Sequence, residues 1–363
     1  MKRGNTLPVR LLPTRAWRTY LGGKLIDERQ GKENQVDGHF PEEWIMSVVE
    51  ARNKGREHLL EGLSVVAGND ITLREWIKGD PEKVLGKAHH EKHGSGTGVL
   101  VKIIDSAERL TVQVHPDRKK AEELFFSSYG KTECWHILGG RAINGVTPYV
   151  YLGFKPGVTR EQWEKLFWDQ DIEGMLNCLH RYEVKPGDTF LIEGGTPHAI
   201  GSGCFLVEIQ EPTDYTFRIE KTTPSGFRID DFMCHQGIGF DRMFDCFNYE
   251  GRTREDTLKK WKIPPCVLQE GGGKREVELI GYKYTPYFGM TLLEVEGEMD
   301  VPEESVFSGM YILSGKACFT SGREMMEANA GEQYFLPADT SFMIKNRGNE
   351  PFRALRFRGP ESE

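Results

Sequence analysis

The chain has 363 residues, 38% of them hydrophobic and 28% charged, with a formal net charge of −8. That length and apolar content suffice for two domains with a core each, and the acidic balance excludes the basic face that nucleic-acid binding requires. No apolar run approaches the roughly 20 residues of a membrane span, the start lacks the apolar stretch of a secretory signal, and the seven cysteines are scattered without a C-x-x-C pair; the expectation is a cytoplasmic protein with reduced thiols and no membrane or nucleic-acid partner.

Taken in chain order, residues 41–63 are predicted as a helix, followed by a strand over 98–104. The cluster His89-His90-Glu91-Lys92-His93 opens into a Gly-Ser-Gly-Thr-Gly run and matches no zincin spacing, so a solvated loop is expected there. The run also lacks the G-K-[ST] ending of a phosphate-binding loop. Residues 117–128 are predicted as a helix capped by Asp117, and 159–181 as another, with Thr159 and Gln162 in a capping-box pattern. Strands are expected over 147–152, 188–193 and 205–210, and a helix over 230–247. The charged stretch 250–262, then Pro264-Pro265 and Gly271-Gly272-Gly273, marks a hinge or loop. Beyond it, runs over 287–295, 309–313, 317–320, 334–337 and 342–345 read as strands without a long helix. The expected division is 1–255, a catalytic metal-binding domain with helical insertions, and 256–363, a compact β domain.

An internal repeat relates the two halves: residues 187–198, GDTFLIEGGTPH, align without a gap with 331–342, GEQYFLPADTSF. Both follow the strand-turn-strand pattern G-x5-P-x-G-x2-H of a cupin. The first copy has Glu193 in place of the proline; the second keeps Pro337 but has Asp339 for the glycine and Phe342 for the histidine. The fold class expected is therefore mainly β, a bicupin of two double-stranded β-helix (jelly-roll) barrels with helical insertions in the first, and a second barrel without metal ligands.

Three separated segments supply candidate ligands. Residues 111–117 read TVQVHPD, 131–135 KTECW, and 195–203 GTPHAIGSG. Gln113 and His115 stand two apart in an alternating run, so strand periodicity turns both to one face. With Glu133 and His198 they form a set of two imidazoles, a carboxylate and an amide that suits Zn²⁺, one ion per chain. Only one ligand is anionic, and the weak Gln leaves positions for water or substrate.

These segments, together with EIQEPTDYTFR at 208–218, resemble the successive signatures of type I mannose-6-phosphate isomerases. The likeness extends weakly to Ala16-Trp17, Leu21-Gly22-Gly23, Glu43-Trp44 and Leu100-Val101-Lys102. It implies Gln113, His115, Glu133 and His198 as zinc ligands, and Glu208, Asp214, Arg218 and Lys131 as catalytic residues. Lys102, Lys131 and Arg218 are implied as contacts to a phosphorylated hexose. The reaction implied is aldose–ketose isomerisation between mannose 6-phosphate and fructose 6-phosphate through an enediol, without an organic cofactor. Asp214 is favoured as proton carrier over Glu208, and a monomer is expected. Two departures stand out: W-R-T-Y-L-G-G replaces a compact W-G-G, and Gly130 stands where some members carry a histidine. The rival readings are a non-catalytic metal-binding sugar sensor and an iron-dependent dioxygenase using His115, His198 and Glu133; Gln113 and the nearby cations speak against the latter.

Overall fold

A computed structural model describes residues 7–362 and is mainly β. Its strands form four antiparallel sheets of six, five, seven and four strands. Apolar contacts order them as layers. Side chains of the six- and five-stranded sheets meet in one core, around Ile104, Trp135, Leu152 and Leu206. Those of the seven- and four-stranded sheets meet in another, around Met310, Phe319, Tyr334 and Phe352. The six- and seven-stranded sheets then pack back to back through Val101, Ile103, Val207, Met290, Phe335 and Leu355. Helices cover the free face of the five-stranded sheet, burying Trp163, Phe167, Met175 and Phe244 against Val112, Val114 and Phe217.

This stacking explains why the central strands do not alternate in burial. In Leu100–Asp105 every residue is buried, because one face meets the first core and the other meets the neighbouring sheet. Among the described residues no helix is long and apolar enough to cross a membrane.

The two copies of the repeat adopt the same path. Thr189–Ile192 is followed by His198–Ile200, and Gln333–Leu336 by Phe342–Asn346. The turn between them is left-handed at Gly195 (φ 84°) and at the aligned Asp339 (φ 60°), a conformation that glycine adopts freely and aspartate tolerates. The strand Val9–Leu11 pairs with Gln333–Leu336 of the seven-stranded sheet, so the two units are also joined through the beginning of the described chain.

Several expected elements take another form. Residues 41–63 are not a helix: they hold the strand Glu42–Ile45, then irregular chain and a 3₁₀ turn at Glu57–Leu59. The strand pairs with Leu100–Asp105, and its alternate side chains face two buried environments: Glu42 and Trp44 share a hydrogen bond, while Glu43 accepts one from Gln333 of the other unit. Tertiary pairing overrides local propensity here. The span 159–181 divides into Arg160–Asp169 and Ile172–Asn177 before entering the strand Leu179–Glu183. Gln170, left-handed at φ 49°, ends the first helix, and the Asp171 side chain caps the second. The span 230–247 likewise divides into Asp231–His235 and Phe240–Phe244. His89 and His93 lie on the helix Lys87–His93, with His89 buried and bonded to the Gly96 carbonyl at 2.8 Å, so that segment is not a solvated loop. The hinge region holds the helix Arg254–Trp261 and a hairpin of Cys266–Gly271 with Lys274–Ile280.

Candidate metal centre and active site

Val112 and Val114 face the helix layer, so the period of two turns Gln113 and the following His115 into the gap between the five- and six-stranded sheets. Gln113 lies opposite both His198 and Arg218 in strand register. Across the gap the strand Glu133–Gly140 presents Glu133 and Trp135, with Cys134 turned to the core between the units. His115 Nε2 is 3.1 Å from Glu133 Oε2, and His198 Nε2 is 3.3 Å from Glu133 Oε1. Ligand atoms of these three buried residues all lie within 4.8 Å of one another.

The surroundings fix which ring nitrogens face inward. His115 Nδ1–H donates to the Tyr215 carbonyl at 2.8 Å, and His198 Nδ1–H to the Thr196 carbonyl at 2.8 Å. Each bond selects the tautomer whose Nε2 lone pair points at Glu133. Burial, with Lys131 and His198 alongside, pushes His115 well below its ordinary pKa, and burial also lowers His198. Both rings are thus held neutral, the ligating form. Both Glu133 oxygens and His198 Nε2 are buried without a hydrogen-bond partner among the described residues. A carboxylate left so is costly, and a divalent cation held by His115, Glu133 and His198 would satisfy all three. The donor set fits a metal.

The remaining predicted residues surround this centre. Lys131 Nζ donates to His115 Nε2 at 2.8 Å and lies 3.3 Å from Glu133 Oε2; burial pulls its pKa down. Lys102 pairs with Glu208 at 2.9 Å, and the other Glu208 oxygen accepts from Trp135 Nε1 at 3.0 Å. Burial opposes the charge on Lys102, but Glu208, Glu42 and Asp214 outweigh it and raise its pKa. Burial likewise opposes ionisation of Asp214, yet Arg18, Lys102 and Lys131 bring it down to about 2. Arg218 donates to the Met233 carbonyl at 3.0 Å, and burial lowers its pKa.

Gln113, Lys102, Lys131 and Glu208 line an inner cavity of about 40 Å³. It adjoins an open cleft of about 950 Å³, and Arg18, Thr19, Asp214 and Arg218 line both. The larger space is of the size that small-molecule ligands occupy.

Four residues of this environment were not singled out from the sequence. Arg18 Nε and Tyr20 Oη each donate to Glu42 at 2.8 Å, and Arg18 Nη2 is 3.4 Å from Asp214. The polar side chains of W-R-T-Y were the available signal, but the segment lies in irregular chain after the strand Arg15–Ala16, so no period gave their direction. The fourth is Glu211, fully buried, which accepts from the backbone N–H of Gly130 (3.3 Å) and Thr132 (2.9 Å) and from Arg118 Nε (2.7 Å). It thereby clamps the chain on both sides of Lys131. Gly130 is tight for a related reason. A Cβ there would come within 2.8 Å of backbone atoms of Pro116, Asp117 and Arg118, so no side chain fits without moving the segment that follows His115.

No family model matches the chain. It is 28% identical over 263 residues to the Bacillus subtilis (strain 168) protein named "Probable mannose-6-phosphate isomerase GmuF", covering 69% of this chain and 74% of that one. It is 26% identical over 278 residues to the mannose-6-phosphate isomerase of Streptococcus mutans serotype c, covering 74% and 79%. A crystal structure of the mannose 6-phosphate isomerase from Bacillus subtilis superposes with a TM-score of 0.74 at 21% identity, over 97% of this chain and all of that one. By sequence over most of its length the chain is a homologue of the mannose-6-phosphate isomerases, and over nearly all of it the fold matches that of the Bacillus subtilis structure.

Proposed function

We propose that the chain is a mannose-6-phosphate isomerase: an enzyme that interconverts mannose 6-phosphate and fructose 6-phosphate through an enediol, with one zinc ion held by Gln113, His115, Glu133 and His198 in a cupin barrel carrying helical insertions. The single observation that carries this reading is the buried His115–Glu133–His198 cluster with unsatisfied ligand atoms, next to Gln113 and Lys131 of an inner cavity that shares Arg18, Asp214 and Arg218 with a larger cleft. When bound, zinc supplies a Lewis acid that favours the negative oxygens of an enediolate.

The protein's own groups do the rest. Arg218 is permanently charged and lines both spaces, so it binds and orients the substrate and balances developing charge. Lys131 stands against His115 Nε2 and on the inner cavity wall; with that nitrogen on a metal, its donors would be free for the reacting oxygens. Lys102 contributes positive charge at the inner wall. Asp214 is ionised across the working pH range, as a proton acceptor must be, and lies where the cavity meets the cleft. Its low pKa makes it a weak base, so transfer between C1 and C2 relies on oxyanion stabilisation by Lys131 and Arg218. Both Glu208 oxygens accept bonds from Lys102 and Trp135, and both Asp214 oxygens accept from Arg18 and the Arg52 backbone N–H; what favours Asp214 is its place where the cavity meets the cleft. The C-terminal domain, near 256–363, serves as a support without ligands.

Formation of fructose 6-phosphate from mannose 6-phosphate, measured before and after chelation with metal content determined in parallel, tests the function. Activity that survives complete metal removal overturns the metal-dependent reading. For the proton carrier, exchange of the substrate C2 hydrogen with solvent deuterium is the measure. Asp214→Asn abolishes it with metal retained if the assignment holds; undiminished exchange refutes it.

A further inference from the structure

On the strand Glu133–Gly140, His136 lies on the face opposite Glu133, toward the seam between the two units. There it helps line a cavity of about 340 Å³ together with Arg29, Arg275 and Arg353. No Asp or Glu is part of that wall among the described residues, in a chain whose net charge is −8. The cations are poorly balanced. Arg29 is half-buried, donates from Nη1 to the Leu313 carbonyl at 2.7 Å and rests on the Phe205 ring; it has no carboxylate partner among the described residues. Arg275 and Arg353 share one carboxylate, Glu294, at 2.9 and 3.0 Å. Arg275 also approaches Glu270 at 3.3 Å, but that side chain is 66% exposed and therefore screened. Three guanidiniums around one cavity share one close carboxylate; Arg275 and Arg353 are 41% and 45% exposed, so water screens them in part, and an anion in the cavity would join all three.

We propose that this seam cavity is an anion site, separate from the metal centre, that takes a phosphate group. The occupant is inorganic phosphate or the phosphoryl end of a small phosphate ester. Arg29 and Arg353 provide forked donors matched to phosphate oxygens, Arg275 adds a third positive charge, and His136, held neutral by burial with its Nδ1 on Thr189 Oγ1, adds a polar ring nitrogen and no charge. Arg29 and His136 come from the N-terminal unit and Arg275 and Arg353 from the C-terminal one, so an anion there bridges both. The site does not depend on the isomerase reading.

The test is thermal unfolding of the full chain, with its metal, titrated with inorganic phosphate in sulfate-free buffer. The same titration in Arg218→Ala weakens the contribution of phosphate bound in the cleft. Expected is a saturable rise of about 2 °C or more at about 10 mM phosphate, kept in Arg218→Ala and lost in the Arg29→Gln, Arg353→Gln double variant, whose turnover stays at the wild-type level. Glycerol 3-phosphate in place of inorganic phosphate tells whether an ester is accepted. A flat response in Arg218→Ala, or an equal rise in the double variant, overturns the proposal. Should the double variant fail to fold, Arg353→Gln alone decides, since that side chain is 45% exposed and its loss leaves the core packed: a weakened phosphate response supports the site and an unchanged one rejects it.

Discussion

The two β units use the space between their sheets in opposite ways. In the N-terminal unit the gap holds His115, Glu133, His198, Lys131, Lys102 and Glu208, all buried, with Lys102 paired to Glu208 and Lys131 to His115 while the Glu133 oxygens and His198 Nε2 lack hydrogen-bond partners among the described residues. In the C-terminal unit it is filled by Met310, Phe319, Tyr334, Phe342 and Phe352. The turn geometry of the repeat is alike in both, left-handed at Gly195 and at Asp339, while the residue it delivers is His198 in one and Phe342 in the other. Buried charges cost stability and create chemistry; a buried aromatic core stabilises and is inert. The comparison teaches that one strand-turn-strand frame can be spent on either purpose, and that the side chain after the turn tells which.

The contrast can be broken most severely at its centre. Glu133→Gln removes the one anionic group of the proposed ligand set. Bound metal, measured by elemental analysis, and turnover should both collapse, by more than the roughly 10- to 100-fold that loss of an outer partner brings. Retained metal and activity would remove the distinction between the units. Next is Arg218→Ala, expected to lower kcat by about 100-fold or more with metal content intact; near-normal turnover would deny it a role. Glu211→Ala releases the chain on both sides of Lys131, and a misplacement of about 1 Å can cost up to about 100-fold. Here kcat should fall with metal content unchanged, and Glu211→Gln, which keeps an acceptor, should recover part of it.

The C-terminal unit should answer in stability alone. Phe342→Ala, whose ring packs 4.9 Å from Phe319, should cost about 3–5 kcal/mol in denaturant unfolding and leave kcat per folded molecule unchanged; an altered KM or kcat would show coupling to the active site. The smallest effect is electrostatic. Burial depresses His89 from 6.5 to about 4, and burial with Arg353 nearby does the same to His136. Between these values the unfolded chain binds protons that the folded one refuses, so stability is full above pH 6.5 and declines as the pH falls toward 4. Melting temperature followed over that range should show the decline, with a shallower slope in His89→Asn.

Much of this was legible before any coordinates. Gln113 and His115 two apart on a strand, the cap at Asp117 with the helix Arg118–Phe125, the C-terminal strands and the aligned repeat are all local patterns with local causes. Other features were hidden for identifiable reasons. The strand Leu100–Asp105 was legible although burial on both faces removes its alternation, but Glu42–Ile45 looked helical because its partners, Leu100–Asp105 and Gln333, are far away in sequence. Arg18, Tyr20 and Glu42 become a group only when residues 24 apart meet. Glu211 reads as one acid in an acidic motif until its bonds to Gly130 and Thr132 are seen.

The sequence by itself determined which donor atoms the chain offers, at what spacing along each strand, and where the second copy of the repeat gave up its histidine, because these follow from residue identity and the period of a strand. Only the tertiary structure decided that Glu133 faces His115 and His198 with its oxygens unsatisfied, and that Arg29, Arg275 and Arg353 gather around one cavity. Whether a charge is buried, paired or left alone depends on which distant segments exclude water from it, and no local pattern carries that information.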